Sequence, residues 1–244
     1  MARKQSNSKP LDEIKCPVVV FLSGYRSDMQ GQKARYVDDL ARKYNFDYLR
    51  FDYSGHGESG GDFMDLTLSD WITDAQEVIE YNFSQYRPLI LVGSSMGGWI
   101  ALKLLSRLNN SVTHFVGLAP APDFSNILMA EQRDMPQFHQ QILEKTYVEA
   151  PCDYEGENFI ITDKFLKDAD NNSVLHEPII FHGKVFILQG MQDTDVPYAH
   201  ALRLAQTFST DNVTLTLLKN ANHRLSQPHE LEHLKQIMLQ CLSL

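Results

Sequence analysis

The chain has 244 residues, 43% of them hydrophobic and 22% charged, which suits one large α/β domain better than two small ones. A formal net charge of −9 without a basic stripe argues against nucleic acid as a partner and opposes adhesion to an anionic membrane. No run of about 18 apolar residues is present, so no stable membrane insertion is expected, and the start MARKQSNSKPLDEIK lacks the apolar core of a secretory signal.

In chain order, the apolar run Val18–Leu22 predicts a strand, and an amphipathic helix over Gln32–Tyr44 follows. A strand over 46–51, a helix over 69–83, a strand over 89–92 and a helix over 96–108 come next. Val112–Leu118 predicts the fourth strand. Strands over 185–188 and Val213–Leu218 flank a helix over 198–208, and a helix over Pro228–Leu242 closes the chain. The strands are short and apolar throughout, as expected where both faces are covered. Strand–helix alternation of this kind predicts a parallel, doubly wound sheet with ligands at the carboxyl ends of its strands.

One segment, about 120–182, breaks the rhythm within a chain expected to form a single domain over 1–244. An excursion of this length is typically a lid or cap. Its first part, FSNILMAEQRDMPQFHQQILEK, predicts one or two amphipathic helices. The later YVEAPCDYEGENFIITDKFL predicts a hairpin around Glu155-Gly156-Glu157 and then a short helix. Cys16, Cys152 and Cys241 are far apart and odd in number, with no C-x-x-C spacing. Neither a zinc site nor a disulfide framework is therefore expected, and a reducing, cytoplasmic compartment is the natural expectation.

The strongest chemical signal is Gly93-Ser94-Ser95-Met96-Gly97, a G-x-S-x-G pattern between the apolar LILV and the helical GWIALKLLSRL. A strand-to-helix turn tight enough to expose a serine strains the nucleophile's backbone and leaves no room for Cβ atoms beside it. Ser95 falls at the apex and Ser94 beside it, so Ser95 is the expected nucleophile. A hydroxyl needs a base to attack a carbonyl at neutral pH. His223, in NANHRLS directly after the last strand, is where this chain order places one. His229 and His233 share a helix face at i, i+4, but no acidic or cysteine cluster joins them, so solvated residues rather than metal ligands are expected. His56, in the glycine-rich DYSGHGESGG, is a candidate for the edge of the site.

The acid should follow the penultimate strand. There Gly190-x-x-Asp193-x-x-Val196-Pro197 offers Asp193, while Asp195 suits a helix cap before Pro197. Asp123, after the fourth strand, is a third candidate. Two backbone N–H groups are needed for the oxyanion. Met96, after the nucleophile, supplies one, and Tyr25 in Gly24-Tyr25-Arg26-Ser27 is the candidate for the other. Arg26 is expected at the solvated surface.

Together, FLSGYRSDMQGQKA, LRFDYSGHGESGG, ILVGSSMGGWIAL, LQGMQDTDVPYAHA and the terminal ANHR resemble the α/β-hydrolase-domain serine hydrolases that include mitochondrial palmitoyl-protein thioesterases and acyl-glucuronide esterases, with their bacterial relatives. The resemblance runs from about Pro17 to the final helix. It implies an α/β-hydrolase fold, a mostly parallel doubly wound sheet with a small lid inserted after the sixth strand. It places nucleophile, acid and base on Ser95, Asp193 and His223. It further implies cleavage of acyl thioesters or carboxylic esters through an acyl-serine, with no cofactor and no metal. The substrate would be a small molecule or an S-acylated protein, and the enzyme a monomer or homodimer. Gln189 and Asn222 depart from the family, which often carries histidine and aspartate there. Lacking a clear targeting extension, the chain is expected to be bacterial and cytoplasmic.

The apolar insertion residues Phe124, Ile127, Leu128, Met129, Met135 and Phe138, with Trp99, offer an acyl groove. The same spacing is what an amphipathic helix needs to dock on its own domain, so both accounts stay open. The rivals are a carboxylesterase for small polar esters, a prolyl-type peptidase or C–C bond hydrolase and, from a different class, a non-catalytic binder of the same fold.

Overall fold

A computed structural model describes residues 16–83, 87–108, 111–150 and 159–244. Six strands, β1 (Val18–Leu22), β2 (Tyr48–Arg50), β3 (Leu89–Ser94), β4 (Val112–Leu118), β7 (Lys184–Gly190) and β8 (Val213–Leu218), form one sheet in the order β2-β1-β3-β4-β7-β8. Every pairing in it is parallel. The expected strand over 46–51 contracts to three residues at the sheet edge. The expected strand over 185–188 lengthens, because pairing with β8 continues to Gly190 opposite Leu218.

Alternation along the strands divides the core in two. Val18, Val20, Leu22, Leu89 and Leu91 face a cluster completed by Trp71, Ile72, Trp99, Ile100, Leu104, Phe165 and Leu204. These come from α2 (Leu68–Asn82), α3 (Met96–Arg107), α7 (Asp163–Asn171) and α8 (Tyr198–Thr207). Val19, Phe21, Ile90 and Val92 face the other cluster, with Val37 and Leu40 of α1 (Gln32–Tyr44) and Leu234, Ile237 and Met238 of α9 (Pro228–Leu242). Capping boxes start α2, through Thr67 and Asp70, and α9, through Gln227 and Glu230. Each satisfies amides that a helix start leaves open.

Residues 120–182 form the expected insertion, entered after the fourth strand in chain order and not after a sixth, because four sheet strands precede it among the described residues. Its first part holds three short helices where one or two were expected: α4 (Phe124–Ile127), α5 (Ala130–Arg133) and α6 (Pro136–Lys145). Pro136 causes the last break. It opens α6 and forces Met135 into extended backbone. A hairpin of β5 (Tyr147–Ala150) and β6 (Phe159–Thr162) follows, then α7. The expected turn at Glu155-Gly156-Glu157 lies outside the described residues, as does Cys152.

The two ends of the insertion are tied to each other. Asp123, fully buried at a φ of 56°, accepts hydrogen bonds from the Ser173 hydroxyl at 2.6 Å and the Leu175 amide at 2.8 Å. Asp168 of α7 accepts from the Ser69 amide and hydroxyl at the start of α2, both at 2.7 Å. Among the described residues no helix is long and apolar enough to cross a membrane.

Candidate active site

Ser95 stands between the end of β3 and the first residue of α3, at φ 53° and ψ −119°, a conformation that L residues rarely hold. Neighbouring backbone enforces it. The Ser95 amide donates to Leu118 O at 3.0 Å, and its carbonyl accepts from the Gly98 and Ala121 amides at 2.9 and 3.1 Å. A Cβ on Gly97 would lie 2.0 Å from Leu22 O, so only glycine lets α3 start this close to β1. Ser94, the alternative hydroxyl, ends β3 and is buried.

His223 reaches both partners expected of it. The Ser95 hydroxyl donates to His223 Nε2 at 3.0 Å, and His223 Nδ1 donates to Asp193 Oδ2 at 2.8 Å. A carboxylate can only accept, which puts the imidazole proton on Nδ1 and leaves Nε2 free to take one. The His223 loop is carried by α1, where Gln32 Nε2 donates to Ser226 O at 2.9 Å and the Lys33 ammonium donates to Arg224 O. Desolvation pulls the Lys33 ammonium down to about 8, against the opposing attraction of Glu230 and Asp193.

Asp193 has no exposed side-chain surface. Its Oδ1 accepts the Asp195 and Val196 amides at 3.0 and 2.7 Å, and its Oδ2 accepts Gln189 Nε2 at 2.8 Å besides His223. The other two acid candidates lie elsewhere. Asp195 does not cap the helix, as had been expected, because α8 is entered through Pro197 with no side-chain cap. Its amide instead serves Asp193. Asp123 is spent on the base of the insertion. Asp193, Asp195 and His223 offer ligand-capable atoms within 4.8 Å of one another, and the hydrogen bonds of Asp193 and His223 account for that grouping.

Tyr25 and Met96 flank the serine. Met96 opens α3, so its N–H points out of the helix start with no carbonyl one turn back. The backbone before Tyr25 passes close to Ser95: a Cβ on Gly24 would lie 3.3 Å from Ser95 Cβ. The Tyr25 ring is boxed by Phe63, Trp71, Phe124, Phe159 and Phe165, and its hydroxyl donates to Ile160 O of β6 at 2.7 Å. Burial pushes that phenol above its ordinary range. His56 supports the same loop. Its Nε2 accepts the Arg26 amide at 3.3 Å, which assigns the ring proton to Nδ1, facing Ser54 O. Desolvation holds His56 below the usual imidazole value.

A cavity of about 590 Å³ opens over Ser95 and His223. Its apolar lining includes Tyr25, Phe124, Leu128, Met129, Phe159 and Ile161. Its polar lining includes Arg26, Ser27, Asp28, Lys33, Thr194 and Asp195. Of the expected groove residues, Phe124, Leu128 and Met129 line the cavity, whereas Trp99, Ile127, Met135 and Phe138 do not. Trp99 is fully buried and donates to Asn172 O at 3.0 Å, holding the end of α7. Ile127 and Phe138 pack against the core, and Met135 is exposed. The apolar spacing of these helices thus serves both docking on the core and the cavity wall. Phe159 and Ile161 were missed. Their spacing of two residues puts both on one face of β6, a signal that four residues of strand are too short to make plain.

A model of the serine aminopeptidase S33 family matches residues 14–182. The chain is 32% identical over 215 residues to the mitochondrial palmitoyl-protein thioesterase ABHD10 of Mus musculus, covering 87% of this chain and 71% of that protein. Its fold matches the crystal structure of a putative hydrolase from Agrobacterium vitis S4, at a TM-score of 0.88 and 41% identity, covering 93% of this chain and 88% of that one. It also matches mouse α/β hydrolase domain-containing protein 10, at a TM-score of 0.85 and 31% identity, covering 94% and 90%. With a parallel sheet and a strained serine elbow already in place, the chain belongs to this family of α/β hydrolases and is a serine hydrolase.

Proposed function

We propose that the protein cleaves acyl thioesters or carboxylic esters through an acyl-serine, with Ser95 as nucleophile, His223 as base, Asp193 as acid and the Tyr25 and Met96 amides as oxyanion donors. The observation that carries this is the continuous relay from Ser95 Oγ through His223 to Asp193, at 3.0 and 2.8 Å. Ser95 Oγ adds to the carbonyl carbon while His223 Nε2 takes its proton, and the carbonyl electron pair moves to an oxygen facing the two amides. Collapse expels a thiolate or alkoxide, which takes that proton from the imidazolium. Water then adds to the acyl-serine with His223 again as base, releasing the carboxylic acid and restoring Ser95.

The insertion over about 120–182 acts as the lid of a single domain. Its apolar wall, together with the palmitoyl-protein thioesterase name of the relatives, favours an acyl chain on that side, in a small molecule or an S-acylated protein. The polar wall favours a second substrate class, small polar esters cut by a carboxylesterase. A graded panel of p-nitrophenyl esters and acyl thioesters decides between them. A kcat/KM that rises with chain length supports the acyl reading, and one that falls beyond butyrate overturns it.

The net charge of −9 supports a partner list without nucleic acid, and a monomer or homodimer remains the proposed state. Free thiols at Cys16 and Cys241 favour a reducing compartment, and the likeness to the Agrobacterium vitis hydrolase favours a bacterial cytoplasm, whereas the named thioesterase relatives are mitochondrial. Fractionation of the tagged protein tests that placement.

A further inference from the structure

Gln189, one residue before the end of β7, is fully buried and points its amide nitrogen at three acceptors, Asp193 Oδ2 at 2.8 Å, Val196 O at 2.9 Å and Gly190 O at 3.3 Å. None of these oxygens can donate, so the amide cannot be turned over without setting oxygen against oxygen. In this orientation Gln189 Oε1 is buried with no hydrogen-bond partner. A buried orphan carbonyl costs free energy, and it persists where the opposite end of the group is needed. That end binds the same Asp193 oxygen that accepts from His223 Nδ1.

We propose that Gln189 is a positioning residue for the reaction: its N–H holds the Asp193 carboxylate aimed at His223. The inference rests on Asp193 being the acid of the triad. The carboxylate receives two amides on Oδ1 and Gln189 with His223 on Oδ2. Besides His223, Gln189 is the side chain that donates to this carboxylate among the described residues, and an amide stabilises the negative charge without itself titrating. Without it, the charge would be balanced more heavily by the imidazolium, and His223 would keep its proton to higher pH. The other charged groups around the pair are Lys33 from α1, Arg224 beside the imidazole, Asp195 in the acid loop and Glu230 in the first turn of α9. All of them are unchanged in the variants that follow.

The test compares Gln189→Leu, Gln189→His and Asp193→Asn, each measured per active site by end-point fluorophosphonate titration so that unfolded protein is not counted. Gln189→Leu should lower kcat about tenfold with KM unchanged, and move the acidic limb of the kcat/KM profile upward by roughly half a unit or more. Gln189→His, which restores a neutral N–H donor, should recover most of both. Placed on Asp193→Asn, Gln189→Leu should add little further loss, because the carboxylate it serves is gone. An acidic limb that does not move, with a rate loss matched by lost titratable sites, overturns the inference and leaves Gln189 a packing residue. A fast Asp193→Asn enzyme overturns the triad reading itself, a different outcome.

Discussion

Ser95, Asp193 and His223 stand one, three and five residues beyond the ends of β3, β7 and β8, whereas the apolar pocket wall draws Phe124, Leu128, Met129, Phe159 and Ile161 from helix ends and one short strand of the insertion. At the sheet edge, position follows from register. β1, β3, β4 and β7 are buried on both faces, and a one-residue slip would turn every side chain to the wrong cluster. In the insertion, position follows from individual side-chain ties such as Asp123 to Ser173 and Leu175, Trp99 to Asn172, and Tyr25 to Ile160. On the proposed reading, the reacting groups sit on the part held by strand register, and substrate contact falls to a part whose ties can be exchanged one at a time.

The sharpest way to break this comparison is at the elbow. Ser95→Ala should abolish fluorophosphonate labelling and turnover, while Ser94→Ala, one residue away and already in the strand, should keep most of both. Stoichiometric labelling of the Ser95→Ala protein would refute the assignment. Next in size is the acid. Asp193→Asn should lower kcat by roughly 10⁴, the loss seen when a triad carboxylate is neutralised. Asp123→Asn, which loosens the base of the insertion instead, should lower Tm while keeping kcat within severalfold. Rate losses of equal size at the two aspartates would erase the distinction between edge and insertion.

A smaller effect tests the pocket wall. Each methylene held by an apolar wall contributes about 0.8 kcal/mol, so a working groove should raise kcat/KM severalfold for every two carbons. Met129→Asp should flatten that slope and leave the acetyl-ester rate unchanged, whereas Phe138→Asp, off the wall, should affect stability more than slope. The smallest effect is on pH. Desolvation holds His56, His114 and His200 below the usual imidazole value, so as the pH falls the unfolded chain takes up their protons first. Stability is therefore full above about 6.5 and declines below it. A Tm series from pH 7.5 to 5 should show the decline. His200→Gln, which can still donate to Pro122 O, should make it shallower. A Tm independent of pH over that window would count against all three buried imidazoles.

What could be foreseen here was whatever one element dictates alone. The elbow was legible because a strand, a serine between glycines and a helix start lie within a dozen residues, and steric exclusion at Gly93, whose Cβ would run into the Gly97 and Gly98 backbone, acts within that span. His223 and Asp193 were legible from chain order, since parallel strands deliver their following loops to the same edge. The helix over Pro228–Leu242 and the strand over Val112–Leu118 came out with the expected bounds, because long or wholly apolar segments have little competition.

The number of helices in the insertion, the side of Trp99 and the fate of Asp123 could not be foreseen. An amphipathic stretch says that one face is covered, never by what, and only packing put Phe138 on the core and Met129 on the cavity. Gln189 is the clearest case. Its position before Gly190 marked it as unusual, but its contact with Asp193 needs the acid loop to fold back over the end of β7. By itself, the sequence determined the sheet, the elbow and the order of the reacting groups, since these depend on periodicity, sterics and chain direction. Tertiary structure alone decided which apolar residues meet a substrate and which donors surround the acid, because both depend on segments far apart in the chain coming together at distances of a few ångströms.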